Sequence, residues 1–142
     1  MLGPLKLLEH RIVLIPVNNQ EQDTAGTHWS LMFFLPESRS FHHIDSLDPA
    51  NNESAHKIAK SIVNGLDITG ANIITYHDAG VQKNKHDCGV YVLRNAEKAI
   101  KQLFSYGIDD NFEATSTKDM SYQRRKVLQT VLDLSKSKYA KA

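Results

Sequence analysis

The run Gly26-Thr27-His28-Trp29-Ser30-Leu31-Met32-Phe33-Phe34-Leu35, then Pro36-Glu37-Ser38-Arg39, then Ser40-Phe41-His42-His43-Ile44 and Asp45-Ser46, decides the fold. Both apolar runs read as strands, and the connector between them is short and turn-like, so they pair as an antiparallel hairpin. If Leu35 faces Ser40, Ser30 faces Asp45 and His28 is the diagonal neighbour of Asp45 on the same face. If the loop is tighter and Leu35 faces Ser38, His28 faces Asp45 directly. Either register puts the imidazole within about 4.5–8 Å of the carboxylate at Cβ. The hairpin thus predicts a His28–Asp45 pair, and does not by itself bring the distant Cys88 to it.

Outward from the hairpin, Arg11 to Val17 is a β-rich apolar run that predicts a buried strand, with Pro16 marking its end or a sheet edge. Asn18 to Gly26 reads as a polar loop. Asn51-Asn52-Glu53-Ser54 is a helix start, and Ala55, Ile58, Ala59, Ile62, Val63 and Leu66 then form one helical stripe. Asn72 to Tyr76 reads as a strand and His77 to His86 as a loop. A helix starting at Cys88 is expected to turn Leu93, Ala96, Ile100, Leu103 and Phe104 inward and to stop near Gly107. Ile108 to Met120 reads as irregular, Ser121 to Ser135 as an amphipathic helix with Val127, Leu128, Val131 and Leu132 on one side, and Lys136 to Ala142 as a frayed end. The order of strands, helix, strand and helices predicts an α+β domain with a mixed or antiparallel sheet flanked by helices.

The 142 residues suit one domain with a real core, and 41% apolar with 23% charged content is ordinary for a globular chain. A net charge of +1 argues against a nucleic-acid partner recruited by bulk electrostatics. No stretch approaches the ~20 apolar residues of a membrane span. Glu9, His10 and Arg11 interrupt any signal-peptide pattern, and a lone cysteine without an export signal fits cytosol or nucleus.

That cysteine stands in Gln82-Lys83-Asn84-Lys85-His86-Asp87-Cys88-Gly89. It cannot staple the fold, so its value is chemical. Asp87 is a good helix N-cap, which puts Cys88 in the first turn, where the helix end favours a thiolate. Gly89 leaves room for another backbone, and Gln82 offers an amide donor for a developing oxyanion. A thiolate nucleophile wants a base and an orienting acid, and the hairpin offers both. His43 lies on the Asp45 face and competes with His28 for it. His42 and His43 point to opposite faces and no tight Cys or His pairs occur, so neither metal nor cofactor is expected.

Thr27-His28-Trp29-Ser30, Ile44-Asp45-Ser46, Gln82 and Asp87-Cys88-Gly89 together resemble the catalytic pattern of the sentrin/SUMO-specific protease family, cysteine proteases of ubiquitin-like modifiers. The run from Ala25 to Leu31, the strand from Phe41 to Asp45 and the run from Asp87 to Val92 are most similar to the deneddylase branch. The resemblance implies a papain-like core with permuted elements, Cys88 as nucleophile, His28 as general base and acid, and Asp45 as the residue that orients it. It implies an oxyanion hole of Gln82 and the Cys88 N–H, and a channel for the modifier's Gly-Gly tail covered by Trp29 and bordered by Gly89. The implied reaction is hydrolysis after that tail, by a monomer, with the Nedd-type modifier and conjugates such as neddylated cullins favoured over SUMO. Members of that family usually carry a longer segment, with a Trp-Leu-Asn-Asp-like element, ahead of the position of Arg11. The expectation is therefore one N-terminally truncated domain over residues 1–142, with a complete catalytic set and an incomplete substrate platform. The alternatives are an inactive member that only binds a modifier, or a SUMO-directed protease.

Overall fold

The computed structural model describes residues 6–20, 26–77, 81–108, 112, 115 and 120–139. Strands Val13–Asn18 (β1), Trp29–Leu35 (β2), Ser40–Ile44 (β3) and Asn72–Tyr76 (β4) form one sheet in the order β1-β2-β3-β4. The first three run antiparallel and β4 pairs parallel to β3, so the sheet is mixed. The central hairpin takes the wider of the two registers, with Leu35 opposite Ser40 and Leu31 opposite Ile44. Strand β1 is an edge strand, which explains how Pro16 is tolerated inside it: its missing N–H costs no ladder bond on the open side. The expected burial of β1 does not occur; only Val17 is buried, because an edge strand has one neighbour.

A parallel step from β3 to β4 needs a crossover, and helix Asn52–Gly65 (α1) supplies it. Its small residues Ala55 and Ala59, with Ile62, pack on Val17, Met32, Phe34 and Phe41. Phe33, Phe34 and Phe41 are fully buried, each worth about 1.5–3 kcal/mol of apolar transfer. On the other face, helix Cys88–Tyr106 (α2) lays Ala96, Ala99 and Leu103 against Leu31, Phe33, Leu35 and Ile44. Gly107, at φ 84, ends α2 in the left-handed region where glycine is favoured.

The inward face of α2 matches the expected one only in part, through Ala96 and Leu103. Tyr91, Asn95, Ala99 and Gln102 are buried, whereas Leu93, Ile100 and Phe104 are exposed. Ala96 and Ala99 let the helix come close to Leu31 and Phe33, with Val92 and Leu103 packed on the same cluster. Phe104 instead lies under the Arg11 guanidinium, 4.4 Å from ring centroid to Cζ.

The last helix, Met120–Tyr139 (α3), includes residues 136–139, which were expected to fray. Its Met120 and Gln123 are buried, while Leu128, Val131 and Leu132 face outward. Most of 108–120 lies outside the described residues. Of that stretch, Phe112 and Thr115 are buried, and Thr115 donates from both N–H and Oγ1 to Asn95 Oδ1 at 3.1 and 2.7 Å.

Candidate active site

His28 stands immediately before β2 and Asp45 immediately after β3, so the hairpin brings them to one end of the sheet. The His28 Nε2–H donates to Asp45 Oδ1 at 2.5 Å, with both side chains buried. Asp45 Oδ1 also accepts the Leu47 N–H at 2.9 Å, and Oδ2 accepts the Asn51 N–H at 2.8 Å. Burial pushes the Asp45 carboxyl up, but the His28 ring and the two backbone donors outweigh it and hold the pKa below the usual value. The carboxylate is thus an acceptor only, which fixes the hydrogen on Nε2 and leaves Nδ1 of His28 for another partner.

The backbone of His28 is clamped as well. Its N–H donates to Asn19 Oδ1 at 2.9 Å, and its carbonyl accepts from Asn18 Nδ2 at 3.0 Å. A Cβ at Gly26 would overlap the Asn18 side chain and force it to move from the His28 carbonyl it holds. Fully buried Asn51 donates from Nδ2 to the Val17 carbonyl at 3.1 Å and to Ser30 Oγ at 3.0 Å, tying β1 and β2 to the loop that cradles Asp45.

His43, the competing partner for Asp45, is turned to Ser30 Oγ, 2.9 Å from its Nε2. The same Ser30 hydroxyl also accepts from Asn51, so it joins His43 to the Asp45 loop. His42, on the opposite face, stacks on Phe33 with centroids 4.7 Å apart.

Cys88 is the first residue of α2 and is buried at the helix end. Asp87 occupies the N-cap position but makes no side-chain cap bond, contrary to the role expected from its residue type. Its carboxylate accepts from Arg124 of α3, through Nε at 3.0 Å and through a terminal nitrogen, and from Asn84 Nδ2 at 2.7 Å. The Arg124 bond is the chief reason the Asp87 pKa lies below its usual value. Gly89 is exposed, with open space where a Cβ would stand.

Gln82 is buried and docks on the residue after Asp45: its N–H donates to the Ser46 carbonyl at 2.8 Å, and its Oε1 accepts from Ser46 Oγ at 2.9 Å. Its Nε2 donates to the Asn84 carbonyl. The loop leading to Cys88 is therefore pinned beside the His28–Asp45 pair. Among the described residues, no hydrogen bond joins Cys88 to His28; they are related through this docked loop and through α2 packing on the face of β2. Trp29, at the first position of β2, is 45% exposed.

The arrangement holds an oriented imidazole, a buried carboxylate and a fixed amide at one end of the sheet, with a thiol at the start of the helix that follows the Gln82 loop, the kinds of group that thiol acyl transfer uses. Among the described residues no group of three or more His, Cys, Asp or Glu is placed to hold a metal ion. None of the described helices is long and apolar enough to cross a membrane. Sequence reading missed Asn18, Asn19, Ser46, Asn51 and Arg124 as site supports. Ser46 stands in the Ile44-Asp45-Ser46 run and Asn51 in the helix start, but nothing local marks any of the five as a support, because each acts on a residue distant in sequence.

Residues 5–132 match the Ulp1 protease family, C-terminal catalytic domain. The chain is 36% identical over 105 residues to sentrin-specific protease 8 of Rattus norvegicus, covering 72% of this chain and 48% of that protein. It is 35% identical over 107 residues to NEDD8-specific protease 1 of Arabidopsis thaliana, covering 73% and 47%. It therefore spans about half the length of the curated relatives it matches. Among solved structures, the SUMO protease Ulp1 with its catalytic cysteine oxidized to a sulfenic acid matches with a TM-score of 0.60 at 20% identity, over 88% of this chain and 54% of that one. The C-terminal Ulp1 protease domain in complex with SMT3, the yeast ortholog of SUMO, matches with a TM-score of 0.56 at 21% identity, over 81% and 49%. These likenesses give the α+β fold.

Proposed function

The chain belongs to the Ulp1 protease family, and from that premise we propose that it is a thiol-dependent peptidase that cleaves after the Gly-Gly tail of a ubiquitin-like modifier. The observation that carries the reading is the buried 2.5 Å bond between His28 and Asp45, beside which the Gln82 loop delivers Cys88 at a helix start. In this reading Nδ1 of His28 takes the proton from Cys88 Sγ, and the sulfur attacks the carbonyl carbon of the terminal glycine. The oxyanion is received by the Cys88 N–H and a Gln82 Nε2 hydrogen. Collapse expels the amine, which takes the proton from His28, and leaves a thioester. Water, deprotonated by His28, then attacks the thioester and releases the modifier's carboxylate and the Cys88 thiol. Asp45 holds the imidazole in its tautomer and stabilises the cation that forms.

Exposed Trp29 covers the tail channel, and the open space at Gly89 admits the tail backbone. The Nedd-type modifier and its conjugates, such as neddylated cullins, are the favoured substrates, supported by identity to a relative named NEDD8-specific protease 1. The site acts within one domain of a monomer, in the cytosol or nucleus, where a lone thiol stays reduced. A Nedd-type modifier with a thiol-reactive group in place of its terminal carboxylate tests this by intact mass. A Cys88-dependent adduct, absent from Cys88→Ala and from a SUMO probe, is the expected result. An adduct with the SUMO probe alone would reassign the substrate, and no adduct from folded protein would mark a binder without catalysis.

A further inference from the structure

We infer that Ser46 is a positioning residue that sets the Gln82 amide for oxyanion binding, so that the dipeptide Asp45-Ser46 orients both halves of the site; this rests on the function proposed above. A side-chain amide is useful as an oxyanion donor only if its nitrogen, not its oxygen, faces the reacting carbonyl. Two contacts decide the orientation of Gln82. The Asn84 carbonyl is an acceptor only, so the atom facing it is Nε2. The opposite atom, Oε1, lies 2.9 Å from Ser46 Oγ, and Ser46 must be the donor. The Ser46 carbonyl also receives the Gln82 N–H at 2.8 Å, so one residue grips both backbone and side chain. Nε2 carries two hydrogens; among the described residues Asn84 takes one, and the second is assigned to an oxyanion.

Ser46 and Gln82 are both buried, so the bond is shielded from competing water. The neighbour of Ser46 in sequence is Asp45, which accepts from His28. Base and oxyanion donor therefore share one rigid strand end, and a displacement of either is felt by the other. Asn84 continues the chain to Asp87, beside Cys88, through its Nδ2 at 2.7 Å.

The experiment measures turnover of a Nedd-type modifier bearing a C-terminal aminocoumarin amide by the full chain. Loss of an oxyanion donor lowers kcat by about a hundredfold or more, and losing only its orientation is expected to lower kcat about tenfold. Ser46→Ala should therefore lose about tenfold in kcat with KM within about twofold, and Ser46→Thr should keep most of the activity. In a Gln82→Ala background, Ser46→Ala should cause no further loss, because its target is gone. Unchanged kcat in Ser46→Ala, a change confined to KM, or an equal further loss in the Gln82→Ala background overturns the inference. Should Ser46→Ala fail to fold, Ser46→Thr against Ser46→Val isolates the hydroxyl. Should the wild-type chain show no turnover, the proposed function fails, and the inference is read from the Gln82 side-chain amide signals in a 15N-labelled sample. Their displacement in Ser46→Ala supports it, and identical signals overturn it.

Discussion

Arg124, on the last helix, grips Asp87, the residue immediately before Cys88, through its Nε and a terminal guanidinium nitrogen. The pair ties α3 to the start of α2, and its planar two-point geometry fixes direction as well as charge. Because the folded Asp87 pKa is depressed, the stability it brings is complete above the unfolded value of about 3.9 and is lost as pH falls through the folded value. Arg124→Gln is therefore expected to be less stable than wild type at pH 6, with the gap closing below about pH 4. Asp45 and Glu97, whose pKa values are also lowered, the latter to about 2, titrate in both proteins and cancel in the difference. Urea midpoints across this range check it; a gap independent of pH would mean that packing, not charge, joins the pair.

Asp45→Asn is expected to lose turnover by orders of magnitude, about 10⁴-fold if the imidazole takes the wrong tautomer. It should also lose stability, by about 1–3 kcal/mol for a buried donor left unpaired. Asp45 accepts from His28, Leu47 and Asn51 with its two oxygens, and an amide nitrogen must face one of those donors. A variant equally stable to wild type would show that the loop relaxes around the new amide. One that recovers activity with stability would make Asp45 purely structural.

His43 gives the site a pH-dependent support. Burial outweighs the Asp45 and Asp48 carboxylates and the Asn52 side chain, and leaves the His43 pKa below its usual value. The folded protein refuses a proton that the unfolded chain accepts. The contribution is therefore complete above about pH 6.5 and declines as pH drops through that value toward the folded one. His43→Gln is expected to flatten the fall in stability between pH 7 and pH 5. Denaturation at three pH values in that interval reads the slope, and an unchanged slope would assign it to other groups.

Gly89→Ala separates stability from function. A glycine inside a helix costs about 0.5–1 kcal/mol relative to alanine, and a Cβ here meets nothing within 4 Å. The variant should melt higher than wild type. It should also capture the modifier probe more slowly, because the methyl enters the space assigned to the tail. A higher melting temperature with unchanged capture would remove Gly89 from the substrate channel.

The His28–Asp45 pair is legible in the sequence. The four-residue connector and the pleat of Trp29–Leu35 and Ser40–Ile44 limited the register to two choices, and both put His28 beside Asp45. The α1 stripe read correctly because Ala55, Ala59 and Ile62 share one face and one target. The face of α2 read only in part: Ala96 and Leu103 pack on the sheet as expected, whereas Leu93, Ile100 and Phe104 are exposed and Tyr91, Asn95 and Gln102 are buried in their place. Asp87 misled as well: its residue type favours capping, but Arg124, 37 positions away, offers a stronger partner. Ser46, Asn51 and Arg124 were silent because their partners lie on other elements.

The hairpin that carries His28 and Asp45 also sets an order of assembly. Those residues are 17 apart in the chain, whereas Cys88 is 60 positions from His28 (88 minus 28). Closing the longer loop costs about 1 kcal/mol more chain entropy, and α2 must then dock on a sheet face already formed. The His28–Asp45 pair thus belongs to a local unit that can close early, and Cys88 to a long-range one that closes late. A nascent chain therefore keeps its thiol away from the imidazole until α2 docks on the sheet, so the reactivity proposed above would arrive last, together with the native fold.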